Sequence, residues 1–241
     1  MPMNSPWAGH LKAVAPFNKR TYRILCALST AVAVANLRTA HPSAAATTNA
    51  HTVVRALTQA EQTAMRGVVW KPGCPVALAD LRRVDADVLG IDGSTYRGTL
   101  VVHRSVAAAV ARILARLYEE KFAIRSMVPI EAFGGDDDHS TMADNSSAFN
   151  CRTVQGSRSL SEHAYGRAID LNPVENPYVR ANGSVLDPAA ERFTNRASVG
   201  NEGGVITGDG PVVKIFRREG WGWGGSFKRT KDYQHFSTSG R

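Results

Sequence analysis

The chain has 241 residues, of which 43% are hydrophobic and 21% charged, a composition that fits a folded domain with a substantial core and excludes a disordered or fibrous chain. Its formal charge is +8, but residues 1–46 hold five basic residues and no acid, so the remainder carries 24 Lys and Arg against 21 Asp and Glu. Because that surplus is small and shows no basic stripe with interleaved aromatic residues, we expect no nucleic-acid partner.

The first 46 residues have the layout of a secretory signal. An uncharged apolar run, residues 24–37, follows Lys19, Arg20 and Arg23 and precedes the small-residue stretch Ser43–Ala46. The run is shorter than the about 20 residues that a membrane span requires. We therefore predict a signal peptide over 1–46, a secreted protein, and no stable membrane span after cleavage. An uncleaved N-terminal anchor is the alternative, because the basic region before the apolar run is long.

Two cysteines remain after the predicted signal, Cys74 and Cys151. In an oxidising compartment the simplest state of two thiols is a disulfide, which would close a long loop and constrain the unfolded chain. Two unpaired buried thiols are the alternative.

Residues 47–57 are small and polar, which predicts a flexible linker before a single domain over 58–241. Thr58 and Glu61 have capping-box spacing and predict the start of a short helix that Gly67 ends. From Val84 to His103 the hydrophobic pattern has period two, and Asp92-Gly93 interrupts it, so we predict a β-hairpin there.

The next segment predicts a longer helix with Ser105 as its N-cap. Its apolar stripe consists of Val106, Val110, Ile113, Leu114, Leu117 and Phe122. A strand is predicted over Met127–Ala132, followed by a long irregular loop over 134–147. That loop contains three successive aspartates, residues 136–138, and because their spacing is not that of an EF-hand we interpret them as solvated.

Strands are predicted over 167–172 and 231–237, with a helix over Pro211–Glu219 that ends at Gly220. Helices and strands are mixed without a regular βαβ alternation, which predicts an α+β fold. The glycine- and tryptophan-rich stretch 220–225 has two interpretations: buried indoles, or the lining of a glycan-binding groove.

The segment most informative about chemistry is residues 161–170, SEHAYGRAID, which brings an imidazole and a carboxylate into one short unit. Both groups are zinc ligands. The segment resembles the S-x-H-x-x-G-x-A-x-D signature of the zinc D-Ala-D-Ala carboxypeptidase and L-Ala-D-Glu endopeptidase family, the VanY-type branch of the LAS metallopeptidases. The match of several specified positions at fixed spacing makes the resemblance specific.

The resemblance implies three zinc ligands, His163, Asp170 and His235, and a catalytic carboxylate, Asp232, three residues before the last ligand. Three protein ligands leave a fourth position open, as in catalytic zinc sites. The family has a small antiparallel sheet that carries the Zn²⁺ site and is flanked by helices, a hedgehog/DD-peptidase-like α+β fold. In a regular strand residues 232 and 235 face opposite sides, so we expect a bend between them.

The resemblance also implies an arginine upstream of the first histidine, which faces the oxyanion or holds the substrate. Arg152 is our candidate and Arg125 the competitor, and an ion pair with the acidic loop is the structural alternative for either. Cys151 precedes Arg152, so a disulfide there could fix a substrate-facing loop. Ser161 resembles the serine near the substrate in the family, and a turn or helix cap is its alternative role.

Exported members of this family act on peptidoglycan stem peptides. The predicted function is therefore a secreted zinc metallopeptidase of such stems, acting as a monomer. Family endopeptidases tend to carry Asp as the catalytic carboxylate, so Asp232 favours the L-Ala-D-Glu endopeptidase over the D-Ala-D-Ala carboxypeptidase. Two further alternatives are a non-catalytic, zinc-stabilised module that binds the cell wall and a secreted domain in which the motif is fortuitous.

Overall fold

The computed structural model describes residues 47–48, 51–199 and 203–241, all within one compact unit, residues 42–241. The predicted signal segment, 1–46, lies outside these residues. The strands are β1 (Thr47–Thr48), β2 (Thr52–Ala56), β3 (Leu81–Leu89), β4 (Thr95–His103), β5 (Ala168–Asp170), β6 (Tyr178–Val179), β7 (Gly222–Trp223), β8 (Lys231–Asp232) and β9 (His235–Ser237). The α-helices are α1 (Gln59–Met65), α2 (Ala107–Glu119), α3 (Asp137–Met142) and α4 (Pro211–Arg218). None of the helices in the described ranges has the length and apolarity needed to cross a membrane.

The predicted hairpin is confirmed, and it forms the centre of a four-stranded antiparallel sheet in the order β1-β2-β3-β4. Strands β3 and β4 pair from Leu81 with His103 to Leu89 with Thr95, so β3 begins three residues before the predicted start. The connecting turn has Gly93 at φ +79°, and the Asp92 carboxylate accepts a hydrogen bond from the Ser94 amide at 2.9 Å. A positive φ at this place is the reason for the glycine.

The prediction of a flexible linker over 47–57 is wrong. Strand β2 pairs with β3 along its whole length, from Thr52 opposite Ala86 to Ala56 opposite Arg82, and β1 adds to its outer edge. Thr52 is buried, and Val54 packs against the main core. Small and β-branched residues favour a strand when a neighbouring strand offers an unpaired edge, and β3 supplies that edge.

The first helix, α1, begins as predicted. The Thr58 hydroxyl accepts a hydrogen bond from the Glu61 amide at 3.2 Å, and the Glu61 carboxylate accepts one from the Thr58 amide at 2.8 Å, which completes a capping box. Glu61 also forms ion pairs with Arg55 at 2.6 Å and Arg83 at 2.9 Å. One carboxylate therefore joins the start of α1 to β2 and β3.

Helix α2 packs the predicted apolar stripe against the sheet, with Val110, Ile113 and Leu117 buried. The prediction that Ser105 caps this helix is wrong, because Val106 is the N-cap residue and makes no side-chain cap bond. The Ser105 hydroxyl instead lies 2.7 Å from Nδ1 of His103.

The strand predicted over Met127–Ala132 is also wrong. Its start runs beside β4, where the Met127 carbonyl accepts a hydrogen bond from the Thr99 amide at 2.7 Å, but a 3₁₀ helix follows over Ile130–Phe133. Pro129 stands before that helix and has no N–H to donate to a ladder. The irregular loop predicted over 134–147 contains α3, which the Asp136 carboxylate caps by accepting a hydrogen bond from the His139 amide at 3.0 Å.

The second half of the chain forms a three-stranded sheet in the order β5-β9-β7 and the separate ladder β6-β8. The strand predicted over 231–237 is divided into β8 and β9, because the two residues between them leave the ladder. The Tyr233 amide donates to the Pro177 carbonyl at 3.3 Å, and the Gln234 carbonyl accepts from the Leu171 amide at 3.1 Å. This is the bend that the spacing of Asp232 and His235 requires.

Helix α4 is confirmed, with Pro211 at its first position and Gly220 following its end at φ +82°. Phe216 stacks on Phe236 of β9, with ring centroids 3.8 Å apart, and so joins the helix to the small sheet. The Cys74–Cys151 disulfide is present and joins two parts of a second apolar cluster around Met65. Helices and small antiparallel sheets that share a core confirm the predicted α+β class.

The ion pairs of Glu61 predict a pH-dependent contribution to stability. A hydrogen bond from Arg55, opposed by partial burial and assisted by bonds from Thr58, lowers the pKa of Glu61 to about 2. Because the folded-state pKa lies below the ordinary value of 4.5, this stabilisation is present above about pH 4.5 and is lost as the pH falls towards 2. We expect Glu61→Gln to cost about 1–2 kcal/mol of unfolding free energy at pH 7.

The measurement is urea unfolding at pH 7 and pH 2, with the exposed Glu119→Gln as the control for charge removal. An equal cost of Glu61→Gln at both pH values would contradict the assignment of the stabilisation to the ionised carboxylate.

Candidate metal centre and active site

Three buried side chains, His163, Asp170 and His235, converge at one point, and their ligand atoms all lie within 4.8 Å of one another. Nε2 of His163 lies 3.0 Å from Oδ2 of Asp170, and Nδ1 of His235 lies 2.9 Å from Oδ1 of the same carboxylate. The two ring nitrogens are 3.3 Å apart. The structure thus brings together all three predicted zinc ligands.

The spacing of the signature follows from how the chain folds between its histidine and its aspartate. Ser161 begins a 3₁₀ helix, Glu162–Tyr165, that carries His163, and Gly166 ends it in the left-handed conformation at φ +63°. A side chain at Gly166 would also collide with the main chain of His103, since a Cβ would lie 2.7 Å from its amide nitrogen. The chain then enters β5 through the buried Ala168 and presents Asp170 at the strand end.

Each histidine has its second ring nitrogen fixed by a main-chain oxygen. Nδ1 of His163 lies 2.5 Å from the Ala148 carbonyl oxygen, so Nδ1 carries the donated proton and Nε2 faces the cluster. In His235 the roles are reversed, because Nε2 lies 3.1 Å from the main-chain oxygen of Arg241 and Nδ1 faces the cluster. The Ser237 hydroxyl donates to that same oxygen at 2.7 Å.

These residues fit a divalent metal ion. Burial alone would raise the pKa of Asp170, but its contacts with His163 and His235 lower it far below the ordinary range. Burial lowers the pKa of His235, whereas the hydrogen bond and charge of Asp170 raise it to about 9. An ionised carboxylate therefore requires a positive charge at this point, and two imidazole nitrogens with one carboxylate oxygen form the donor set of three-ligand catalytic zinc sites.

Asp232 lies on the neighbouring strand β8 and lines the same cavity as the three ligands. Its Oδ1 atom is buried and has no hydrogen-bond partner among the described residues. Burial raises the pKa of Asp232 to about 7. The charge of His235 opposes this rise, and the charge of Asp170 adds to it. Gly224 permits the close approach, because a Cβ there would lie 2.6 Å from the Asp232 carbonyl oxygen. A half-buried carboxylate with one buried, unpaired oxygen beside a metal-type cluster has the properties of a general base.

Of the two candidate arginines, Arg152 lines the cavity and Arg125 does not. Arg125 is held by Asp144 at 2.6 Å and by Glu175 at 3.1 Å. Arg152 makes the predicted ion pair with the acidic segment, since its Nη2 lies 2.8 Å from Oδ2 of Asp137, while its buried Nε has no partner in the described part of the chain. The substrate-facing role of Arg152 stays a prediction.

Ser161 is a helix cap, because its hydroxyl accepts a hydrogen bond from the His163 amide at 3.3 Å. It also lines the cavity, so a contact with substrate stays a prediction. The tryptophans of the 220–225 stretch are structural: Trp221 is buried, and the Trp223 indole donates to the Tyr233 carbonyl at 2.8 Å. The Trp223 indole thereby supports the bend before His235, and neither tryptophan is among the described residues that line the cavity.

Several residues of the site could not be found from the sequence. The oxygen atoms that orient the two histidines belong to the main chain of Ala148 and Arg241, which carries no residue-specific information. Two further side chains that line the cavity, Tyr178 and Arg180, have no motif around them: Tyr178 begins β6, a strand of only two residues, and Arg180 follows its end. The cavity that contains all of these groups has a volume of about 1260 Å³.

The site combines two imidazoles and one carboxylate that could hold a metal ion with an adjacent carboxylate, Asp232, in an open cavity. A family model described as D-alanyl-D-alanine carboxypeptidase matches residues 155–238. The matched segment contains the three candidate ligands and Asp232, and it begins after Arg152. This match over about a third of the chain supports the predicted resemblance to the VanY-like family and indicates a metallopeptidase. Searches of curated proteins and of solved structures found no match.

The hydrogen bonds around His235 predict that Ser237 supports metal binding without being a ligand. Ser237→Ala removes one of the two groups that donate to the Arg241 oxygen, which loosens the acceptor that orients His235. We expect about a tenfold weaker zinc affinity, at the lower end of effects seen for groups behind metal ligands. Competition with a chromophoric chelator measures it, with Ser94→Ala in the distant hairpin turn as the control. Unchanged zinc affinity in Ser237→Ala would contradict this role.

Proposed function

We propose that this protein is a zinc-dependent peptidase that hydrolyses the L-Ala-D-Glu bond of peptidoglycan stem peptides. The observation that carries the proposal is the unpaired, buried oxygen of Asp232 beside the cluster of His163, Asp170 and His235. A metal-binding module has no need of such a carboxylate, whereas amide hydrolysis requires a group that takes and returns a proton. The family match over 155–238 supports the peptidase class.

The zinc ion and the side chains have different roles in the proposed hydrolysis. When bound by His163, Asp170 and His235, Zn²⁺ supplies a Lewis acid that lowers the pKa of water and polarises a carbonyl group. Asp232 accepts the proton of the water whose oxygen attacks the carbonyl carbon. It then delivers this proton to the leaving amine as the C–N bond breaks, so that one water is consumed and a carboxylate and an amine are released.

Arg152 supplies positive charge to the cavity. Its guanidinium lies in the cavity wall, and its ion pair with Asp137 fixes its position. A positioned cation stabilises the negative charge that develops on the carbonyl oxygen during attack. The Cys74–Cys151 disulfide holds the residue before Arg152 and thereby restrains the loop that carries it.

The size of the cavity favours cleavage within a chain. At about 1260 Å³ it exceeds the usual range of about 300–1,000 Å³ for sites that bind small ligands. An endopeptidase needs room on both sides of the bond. The D-Ala-D-Ala carboxypeptidase is the second candidate, and the description of the matched family supports it.

The disulfide supports a location outside the cytoplasm, where disulfides persist. The signal-like segment 1–46 agrees with export to the cell wall, where stem peptides are found. We propose that the protein acts there as a monomer, with stem peptides and not nucleic acid as its partner.

Replacement of the proposed base separates an enzyme from a binding module. We expect Asp232→Asn to lower kcat at least about 10³-fold, because the amide cannot take the proton, while one zinc per chain stays bound. Turnover of a stem peptide and zinc content by atomic emission are measured on the same preparations, with the exposed Asp209→Asn as the control. Retained turnover in Asp232→Asn would contradict the proposed role.

The scissile bond is identified from products. Zinc-loaded protein is incubated with L-Ala-D-Glu-diamino acid-D-Ala-D-Ala whose amino end is capped, and the products are analysed by mass spectrometry. We expect release of capped L-Ala. Loss of only the terminal D-Ala would establish the carboxypeptidase instead, and no cleavage of this peptide by the zinc-loaded protein would overturn the proposed function.

A further inference from the structure

One wall of the cavity is the ladder of β6 and β8, in which Tyr178 is paired with Asp232 and Val179 with Lys231. Side chains alternate along both strands of such a ladder. Asp232 and Tyr178 line the cavity, whereas their strand neighbours Val179 and Lys231 are not among its lining residues in the described ranges. The ladder therefore presents one face to the substrate.

Arg180 follows on this same face. It lines the cavity two residues after Tyr178, where the chain turns back through a hydrogen bond from the Arg180 amide to the Ser184 carbonyl at 2.9 Å. A strand advances about 3.3 Å per residue, so Arg180 lies roughly 7 Å along the ladder from the position opposite Asp232. An extended peptide advances by a similar distance per residue. Arg180 is thus placed one or two substrate residues from the bond that Asp232 serves.

The guanidinium of Arg180 makes no hydrogen bond or ion pair anywhere in the part of the chain that the structure describes. Other arginines at comparable depth are occupied: Arg152 binds Asp137, and Arg196 donates to Asn176 and to main-chain oxygens. The acid on the same side of the cavity, Asp187, caps a 3₁₀ helix by accepting from the Ala189 amide at 2.9 Å. A partly buried guanidinium without a protein partner in a cavity wall fits a carboxylate ligand.

We propose that Arg180 binds a substrate carboxylate one or two residues from the scissile bond. This inference rests on the proposed function and adds a determinant of specificity to it. In a stem peptide, D-Glu linked through its side chain keeps its α-carboxylate next to the L-Ala-D-Glu bond, whereas the terminal D-Ala carries its carboxylate next to the D-Ala-D-Ala bond, which is cut in the second candidate reaction. Both have the chemistry that a guanidinium binds in a bidentate manner. The exposed ring of Tyr178 lies between Arg180 and the reacting bond and forms an apolar side for the residue there.

The test uses three capped stem peptides: one with both carboxylates, one with the D-Glu α-carboxylate as an amide, and one with the terminal carboxylate as an amide. We expect Arg180→Gln to raise KM about tenfold for the peptides that keep the bound carboxylate, with kcat changed less than about threefold. For the peptide that lacks this carboxylate, wild type and Arg180→Gln should have the same KM. The amide that removes the difference identifies which carboxylate is bound.

Two further variants test whether the KM effect is specific to the guanidinium of Arg180. Arg180→Lys retains the charge without the bidentate fork, so we expect it to recover part of the lost affinity. Arg158→Gln removes the same charge from an exposed arginine outside the cavity and should leave all three KM values unchanged. Thermal unfolding of each variant reports whether the fold is kept, and the Arg180→Lys comparison decides the question if Arg180→Gln is unstable.

The experiment distinguishes failure of the proposed role of Arg180 from failure of the proposed function. An equal KM change for all three peptides, or none, would overturn the role of Arg180 while the proposed function stands. If the wild-type protein with zinc bound cleaves none of the peptides, the proposed function fails, and the role of Arg180 in it fails too.

Discussion

The buried carboxylate of Asp170 is the group on which the site depends. It lies between the imidazole of His163 in the same short segment and the imidazole of His235 from a distant part of the chain, and its own pairing partner across the ladder of β5 and β9 is His235. An ionised carboxylate at this depth is tolerated only with compensating positive charge. The hydrophobic packing of Phe236 on Phe216 fixes β9 from the other face. Fold and metal site therefore share one strand register, and a shift of one residue would turn His235 away from Asp170.

The bend between Asp232 and His235 lets two nearby residues serve different purposes in one cavity. In a continuous strand the two side chains would face opposite sides. Here the carboxylate belongs to the β6-β8 ladder and the imidazole to the β5-β9-β7 sheet. The glycine- and tryptophan-rich stretch makes this possible, since Gly224 leaves room for the Asp232 main chain and the Trp223 indole binds the Tyr233 carbonyl. Residues that do not line the cavity thus maintain the position of the proposed base.

Features set by local sequence could be predicted, and features set by a distant partner could not. The capping box at Thr58, the turn at Gly93 and the signature from Ser161 to Asp170 depend on residues within a few positions of one another. Strand β2 depends on an edge that β3 provides about 30 residues later, so its small polar residues resembled a linker. The acceptors for the histidines are main-chain atoms that any residue could supply. The ligand set was predictable because those side chains cannot be exchanged for others.

Two of the four arginines that line the cavity, Arg152 and Arg180, differ in whether a carboxylate of the protein already holds them. Arg152 is already paired with Asp137, which fixes its guanidinium and competes with an anionic group of the substrate for it. Arg180 has no protein partner in the described structure, so a carboxylate present in the ground state meets no competitor there. Under the proposed function, a substrate carboxylate is therefore favoured at Arg180 over Arg152.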